Sequence, residues 1–332
     1  MEQLTSEQCK ALYFDELAIK EAPRQVYRLN GHHDGRYYYT FDQSGEPTFH
    51  ISVTTMIKKT TPTSPHLIKW IAEKGVDEAK RYAQMRADYG TLMHIMFSRY
   101  LIQREIHLGD ELSFEVEGYL QEKKQPLELH GAWCQELRKD IMAFAQFVKD
   151  YNVTPLMIEV VLANDESKLA GALDLVCEMD LELIGLDHEN PYKSGPRKGE
   201  PREVKVKQRV KAIVDNKSGK KGFYEDNEIQ LGGYQHLLVE NFPEFKDEDI
   251  YLFNFAPNDW RDRPTYKLKD QTESKNIAKL QHLLELGKIE LSKMKNTELI
   301  IDGVLNMEDD LENNYQHVSI YEMAKQEQIK RD

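Results

Sequence analysis

Cysteine is scarce in this sequence, with only Cys9, Cys134 and Cys177 among 332 residues. These three are odd in number and far apart, which excludes the closely spaced cysteine ligands of a zinc or iron–sulfur site. We therefore expect reduced thiols. The motif Gly-x-x-x-x-Gly-Lys-Ser/Thr is also absent, so any P-loop ATPase that works with this chain has to be a separate protein.

Long apolar runs are absent as well. The longest stretches resemble Ile158–Ala163, which is interrupted by Glu159 and is far shorter than the roughly 20 residues of a membrane span. The N-terminus lacks a basic-then-apolar leader, and we find no internal repeat. A cytoplasmic protein without a membrane partner is expected. The length allows one large or two modest domains with a real core.

Positive charge is in the minority, and the net charge is −13. Such a balance argues against a protein that coats nucleic acid through bulk electrostatics. One stretch is different: residues 193–221 hold eleven basic and three acidic side chains, a net charge of +8 that leaves −21 on the rest of the chain. The stretch ends in Lys220 and Lys221, and it predicts a local basic patch.

The order of apolar patterns predicts a mixed fold of helices and strands. An N-terminal hairpin around Tyr37–Phe41 precedes short helices that open at Ser52 and at Ser64-Pro65. The expected elements that follow are helices at 80–100 and 131–151, strands at 156–162 and 169–177, a basic loop or ribbon at 187–203, a strand that ends at Asp215, a helix at 225–240, a strand at 251–256 and a long helix at 269–293.

This order predicts an α/β (α+β) fold in which a central mixed sheet is flanked by helices. We divide the chain into an N-terminal hairpin extension at 1–60, a main domain at 61–295 and a peripheral acidic segment at 296–332. Within the main domain, residues 61–150 are predicted to be helical and residues 155–256 to hold the sheet.

Three neighbouring strands each offer one interior carboxylate, namely Glu159, Asp174 and Asp215. Burial of an unpaired carboxylate is costly, so three in one sheet require cations. Lys217 lies on the same strand face as Asp215, but it neutralises one carboxylate at most. Taken alone, the segment that contains Asp215 and Lys217 favours a strand that runs into an exposed charged loop.

Three further polar residues have an ordinary structural explanation when each is taken alone. His94 lies among apolar neighbours on a helix, where a lone histidine is usually a satisfied core residue. Gln230 and Tyr234 are one helical turn apart, as expected of an amphipathic helix with a tyrosine at its boundary. Only their combination with the carboxylates suggests a site.

Taken in order, four motifs resemble the PD-(D/E)XK nuclease superfamily, and within it the RecB-like exonucleases, which include mitochondrial genome maintenance exonucleases and phage enzymes. The motifs are Gly90-Thr91-Leu92-Met93-His94, Gly171-Ala172-Leu173-Asp174, Asp215-Asn216-Lys217 and Gln230-Leu-Gly-Gly-Tyr234. The resemblance covers about residues 52–256 and implies a restriction-endonuclease-like core. Asn216 departs from it, because that position more often holds an apolar or aromatic residue.

The resemblance implies a divalent-metal-dependent DNA exonuclease that acts on single-stranded or processed ends in recombination, replication or repair. Its metal, Mg²⁺ or Mn²⁺, would be held by Asp174, Asp215, an imidazole nitrogen of His94 and the backbone carbonyl of Asn216. Glu159 would be a second-metal or water-mediated ligand. Lys217 would be the amine that activates the attacking water. Gln230 and Tyr234 would contact nucleic acid or support that lysine.

We expect Lys220, Lys221 and the basic 187–209 segment to follow the phosphate backbone. The implied partners are DNA ends and proteins of recombination or replication. A different class of function remains open, in which the chain binds nucleic acid or assembles with other proteins and retains the nuclease fold without turnover. Cleavage polarity, strand preference, DNA versus RNA and oligomeric state are not decided by the sequence.

Overall fold

A computed structural model describes residues 21–29, 34–219, 222–295, 297–301 and 315–329, without the side chains of 298, 300, 328 and 329. These residues form ten strands and eight α-helices. The strands are β1 (Tyr27–Arg28), β2 (Tyr37–Phe41), β3 (Pro47–Ser52), β4 (Thr154–Asn164), β5 (Leu169–Asp187), β6 (Arg202–Asn216), β7 (Ile250–Pro257), β8 (Tyr266–Asp270), β9 (Thr297–Ile301) and β10 (Tyr315–Ser319). The helices are α1 (Val53–Thr60), α2 (Pro65–Lys74), α3 (Val76–Gln103), α4 (Asp110–Glu122), α5 (His130–Asp150), α6 (Glu225–Asn241), α7 (Leu280–Ser292) and α8 (Ile320–Ile329).

Eight of the strands form one mixed sheet in the order β1-β2-β3-β5-β6-β7-β8, with β4 paired to β5. Most neighbours are antiparallel, whereas the pairs β3–β5 and β6–β7 are parallel. The predicted α/β (α+β) fold with a central mixed sheet is confirmed. The N-terminal hairpin strands belong to this same sheet, while β9 and β10 form a separate antiparallel pair.

Strand β5 changes its partner strand along one edge, and we call the gap between the two partners the fork. Its first edge is paired with β4 over residues 169–178. Its other edge pairs with β3 at Leu169–Ala170 and then with β6 from Leu175 onwards. Among the described residues, 171–174 therefore have no strand partner on this second edge, and the ends of β3 and β6 both lie beside the opening. Asp174 sits at its far end, where the backbone N–H of Asn216 in β6 reaches its carboxylate.

Helices cover both faces of the sheet, which creates two cores. One core contains side chains of α1, α6 and α7, including Met56, Tyr234 and Leu283. The other is built from α3, α4 and α5, and Phe97 and Phe144 stack there with their ring centroids 4.1 Å apart. The sheet is thus buried on both sides, in agreement with the near-continuous apolar composition of its central strands.

The first two helices start where the sequence predicts. Ser52 caps α1, because its side-chain oxygen accepts a hydrogen bond of 3.0 Å from the backbone N–H of Thr55. Pro65 occupies the first turn of α2, where its missing N–H costs nothing. At the other end of the chain, Ile320 and Ala324 of α8 are buried in the first core.

The predicted helix at 269–293 is wrong over its first part. Residues 266–270 instead form β8, which pairs antiparallel with β7, and α7 begins only at Leu280. The alternating lysines and acids of this region fit a charged helix face, but they fit an exposed edge strand equally well. Asp270 ends the strand, since its Oδ1 accepts hydrogen bonds from both N–H and O–H of Thr272.

The basic segment is not a free patch of positive charge. Strands β5 and β6 continue as a two-stranded ribbon as far as the pair Asp187–Arg202, so each basic side chain of β6 lies opposite the acidic strand β5. Lys205 bonds Glu182, and Arg209 contacts Asp180. Residues 178–211 carry eight basic and seven acidic side chains. A net charge of +1 leaves little general attraction for phosphate.

Within the described part of the chain, no helix combines the length and apolar character that a bilayer crossing requires.

His50 of β3 gives the fold a predictable acid sensitivity. Its side chain is fully buried, and its Nε2 lies 2.8 Å from Asp165 Oδ1. Burial lowers the pKa of His50 to about 4, so the folded chain holds it neutral. The unfolded chain protonates it near pH 6.5, and the unfolded state therefore binds more protons between these two pKa values. Stability falls as pH falls through that window.

We expect acidification from about pH 7 to about pH 4.5 to remove about 2 kcal/mol of unfolding free energy through His50 alone. Urea denaturation of the parent and of His50→Gln at both pH values measures this loss. The variant should lose about 2 kcal/mol less than the parent does. Asp165 does not confuse the comparison, because the Arg24 guanidinium holds its pKa at about 2. Equal losses in the two proteins would contradict the assignment.

Candidate metal centre

The fork on β5 brings acidic side chains of three strands together. Asp174 lies on β5, Asp215 near the end of β6, and Glu159 in the middle of β4. Glu159 has a φ of +48°, which is rare for a residue with a β-carbon and costs about 1–2 kcal/mol. Ladder pairs flank it on both sides, and yet Glu159 itself is not paired with Asp174. With this left-handed backbone, the Glu159 carboxylate faces His94 of α3.

His94 reaches this cluster from α3. Its Nδ1 is 3.3 Å from Glu159 Oε1 and 3.5 Å from Asp174 Oδ1. One turn earlier, Gly90 allows the loop after β6 to approach, because a β-carbon there would lie 3.1 Å from Ser218 Oγ. The glycine and the histidine of the sequence motif thus have different tasks: Gly90 admits the loop, and His94 supplies a ring nitrogen.

The backbone of Asn216 fixes the orientation of the imidazole. His94 Nε2 lies 3.1 Å from the Asn216 carbonyl oxygen, which can only accept, so Nε2 carries the hydrogen. Nδ1 then faces two carboxylate oxygens. In the neutral ring this nitrogen would aim its lone pair at two anions, which is unfavourable. A cation, either a proton or a metal ion, is needed between them.

Electrostatics leads to the same requirement. Burial lowers the pKa of His94, but the carboxylates of Asp174 and Glu159 outweigh it and raise the pKa well above its ordinary value. Burial would raise the pKa of Asp174, whereas His94 and Lys217 lower it. Burial also raises the pKa of Asp215 to about 6, although Lys217 opposes the shift. The cluster therefore binds positive charge strongly.

The donor set fits a divalent metal ion. One ligand atom each from His94, Glu159 and Asp174 lies within 4.8 Å of the others. Neighbouring ligands of an ion held at about 2.1 Å are about 3 Å apart, close to the observed separations from Nδ1. Carboxylate oxygens suit Mg²⁺, and one imidazole makes Mn²⁺ equally suitable. These three residues could hold a metal ion.

Asp215 belongs to an adjoining hydrogen-bond network with Lys217. The Nζ of Lys217 is 2.7 Å from Asp215 Oδ2 and 2.9 Å from Gln230 Oε1. Gln230 Nε2 in turn donates to Asp215 Oδ1 at 3.1 Å and to the Tyr234 hydroxyl at 2.6 Å. A carboxylate has about four lone-pair sites, so Asp215 retains capacity for a further ligand.

Gln230 and Tyr234 are buried on α6, and their contacts support the lysine and Asp215. The supporting role and the contact with nucleic acid that the sequence resemblance implies for them both stay predictions. Gly171 makes the packing possible, since a β-carbon there would lie 3.0 Å from Tyr234 Cε1. Lys220 and Lys221 lie outside the described residues.

Asn216 contributes through its backbone. Its N–H donates to Asp174 Oδ2 at 2.7 Å, and its carbonyl accepts from His94. The end of β6 thus positions both a carboxylate and an imidazole of the cluster. Direct coordination of a metal by the Asn216 carbonyl and by Asp215 stays a prediction.

Sequence reasoning missed three residues that support the site. Asn254 of β7 donates to Asp215 Oδ2 at 2.8 Å, and Gln271 Nε2 donates to Asn254 Oδ1 at 3.2 Å. Arg86 of α3 makes a bidentate pair with Glu136 and donates to the Ser218 carbonyl at 3.2 Å. A single polar residue inside the apolar run 250–256 is the one signal that marks Asn254.

Comparison with known proteins adds no assignment: no known protein-family model matches this chain, and no curated protein sequence matches it. The functional argument therefore depends on the chemistry of this cluster.

Proposed function

We propose that this chain is a divalent-metal-dependent DNA exonuclease of the PD-(D/E)XK type, similar to the RecB-like enzymes. The observation that carries the proposal is the imidazole Nδ1 of His94 facing the carboxylates of Glu159 and Asp174 at 3.3 and 3.5 Å. Only a cation satisfies that arrangement, and Lys217 lies beside it, directly after the strand that supplies Asp215. Acids, imidazole and amine together suit phosphodiester hydrolysis.

The metal would be held by His94, Asp174 and Glu159, with Asp215 and the Asn216 carbonyl as further candidates. When bound, it supplies Lewis-acid neutralisation of phosphate charge and makes water a better nucleophile near neutral pH. The Nε2 hydrogen bond to Asn216 keeps the ring from turning, so Nδ1 stays directed into the cluster. The Asn216 N–H does the same for Asp174.

Lys217 acts on the water and on the developing charge. Two of its three N–H groups are directed to Asp215 and Gln230, and the third remains for a water or a phosphate oxygen. An ammonium held in this way orients the nucleophile and stabilises negative charge in the transition state. Asn254 and Gln230 hold Asp215 still, which in turn fixes the lysine.

The substrate part of the proposal is DNA at single-stranded or processed ends, in the cytoplasm and together with proteins of recombination or replication. The second candidate is a nucleic-acid-binding or assembly module without turnover. The strain at Glu159 favours an active site, because a costly backbone conformation at a ligand position serves no purpose in a retired one. Both candidates predict binding, but only the first predicts hydrolysis.

An end-labelled nuclease assay separates the two. Single-stranded and duplex DNA labelled at either end, a closed single-stranded circle and a matched RNA are incubated with Mg²⁺, Mn²⁺ or chelator. We expect linear DNA to shorten progressively with either metal, the circle to survive, and all activity to stop with chelator. Cleavage of the circle would contradict exonuclease action, and intact DNA at enzyme excess with both metals would contradict turnover.

A further inference from the structure

Helix α2 and the first turns of α3 expose a face that the two cores do not use. No residue of α2 is buried, and Leu67 and Ile68 are 45% and 55% exposed. Trp70 of α2 packs edge-on against Tyr82 of α3, with ring centroids 5.9 Å apart, and Tyr82 is still 43% exposed. Trp70 is half-buried and Tyr82 is exposed, so both rings keep some accessible surface on this helical pair.

This face leads directly to the metal centre. Tyr82, Arg86, Gly90 and His94 follow at four-residue intervals and form one ridge along α3. The lower half of the ridge is already part of the site, since Arg86 donates to the Ser218 carbonyl and Gly90 admits the same loop. Twelve residues separate the tyrosine from the histidine, which is about 18 Å along a helix.

A lysine beside the rings favours a polyanion here, although residues 65–90 of α2 and α3 carry five basic and four acidic side chains, a net charge of only +1. Lys74 Nζ lies over the Tyr82 ring, 5.4 Å from its centroid. An ammonium beside exposed aromatic rings matches the way proteins hold single strands: rings stack on bases while cations follow phosphates.

We propose that Trp70, Tyr82 and Lys74 form a binding site for single-stranded DNA that holds the strand whose end lies at the metal centre. The direction assigned to the strand rests on the proposed function, whereas the existence of the binding site does not. With about 3.4 Å per stacked nucleotide, the 18 Å ridge corresponds to roughly five nucleotides. Shorter strands reach only the metal centre, and longer ones also reach the rings.

Binding without turnover tests the inference separately from hydrolysis. Fluorescein-labelled phosphorothioate oligodeoxythymidylates of 4 and 20 nucleotides, whose linkages resist hydrolysis, are titrated with the full chain in Mn²⁺, and Kd is read by fluorescence anisotropy. We expect Trp70→Ala and Tyr82→Ala each to weaken binding of the longer strand by about tenfold and to leave the shorter one unchanged. Trp70→Phe should retain most of the parent's affinity, and Lys74→Glu should reduce the salt slope by about one.

The control is Phe114→Ala, which removes a 72% exposed aromatic ring from α4 and should change neither Kd. Circular dichroism verifies that each variant keeps its helices. If the parent's Kd for the longer strand survives in both alanine variants, or if both strands weaken equally, the inference is overturned and the exposed face is left to a protein partner. If the parent shows these Kd differences but does not hydrolyse DNA, only the proposed function is contradicted.

Discussion

Asp174→Asn is expected to abolish metal binding while leaving the fold intact. Asp174 Oδ2 accepts from the Asn216 N–H at 2.7 Å, so the amide oxygen of the variant must take that position. The amide NH₂ then faces His94 Nδ1 and occupies the lone pair that a metal requires. The substitution therefore removes one ligand and blocks a second with a change of a single group.

We expect the affinity for Mn²⁺ to fall by more than about a hundredfold, because loss of a mere supporting residue already costs 10–100-fold. Electron paramagnetic resonance of free Mn²⁺ during titration measures this directly. Asp165→Asn is the matched control, since that carboxylate bonds Arg24 and His50 instead, and it should bind Mn²⁺ as the parent does. Full affinity in Asp174→Asn would place the metal elsewhere.

Lys217→Ala is expected to leave the metal in place and remove turnover. Asp215 keeps hydrogen bonds from Asn254 and Gln230 in the variant, so the carboxylate stays oriented. The group that disappears is the ammonium available to water and phosphate. We expect kcat to fall about 10²–10⁴-fold, the usual range for a positioned acid–base group, with a small change in KM.

Single-turnover hydrolysis of end-labelled DNA, together with Mn²⁺ titration, separates this role from a structural one. Lys211→Ala is the control, because that lysine lies six residues earlier, in β6, and bonds Glu248, and it should retain the parent's kcat. A Lys217→Ala protein that hydrolyses DNA at the parent's rate contradicts the assignment. One that loses Mn²⁺ affinity and kcat together shows that the lysine only shapes the site.

The predictable part of this molecule lies in its buried elements. Burial on both faces makes strands such as 250–257 and 154–164 nearly continuous apolar runs, broken inside by Asn254 and Glu159. Capping chemistry at Ser52 and Pro65 marks helix starts. The interior carboxylates could be found because an acid inside an apolar run is expensive. The order of the strands then predicts which of these carboxylates lie close together in space.

The remainder depends on register, which local patterns do not encode. The acids of β5 lie opposite the bases of β6, and this pairing, invisible in a count along one strand, leaves the ribbon at 178–211 with a net charge of only +1. Asn254 and Gln271 support Asp215 only because β7 and β8 place them there. The positive φ of Glu159 has no sequence signal, since glutamate is not a residue that favours it.

We propose that the cluster of His94, Glu159 and Asp174 holds a metal ion on which hydrolysis of DNA depends. The most direct measurement is the Mn²⁺-dependent rate of release of labelled nucleotide from single-stranded DNA, taken for the parent and Asp174→Asn prepared side by side. We expect release by the parent with Mn²⁺, none with chelator, and none by the variant with either. Equal release by the two proteins, or release that persists in chelator, would contradict it.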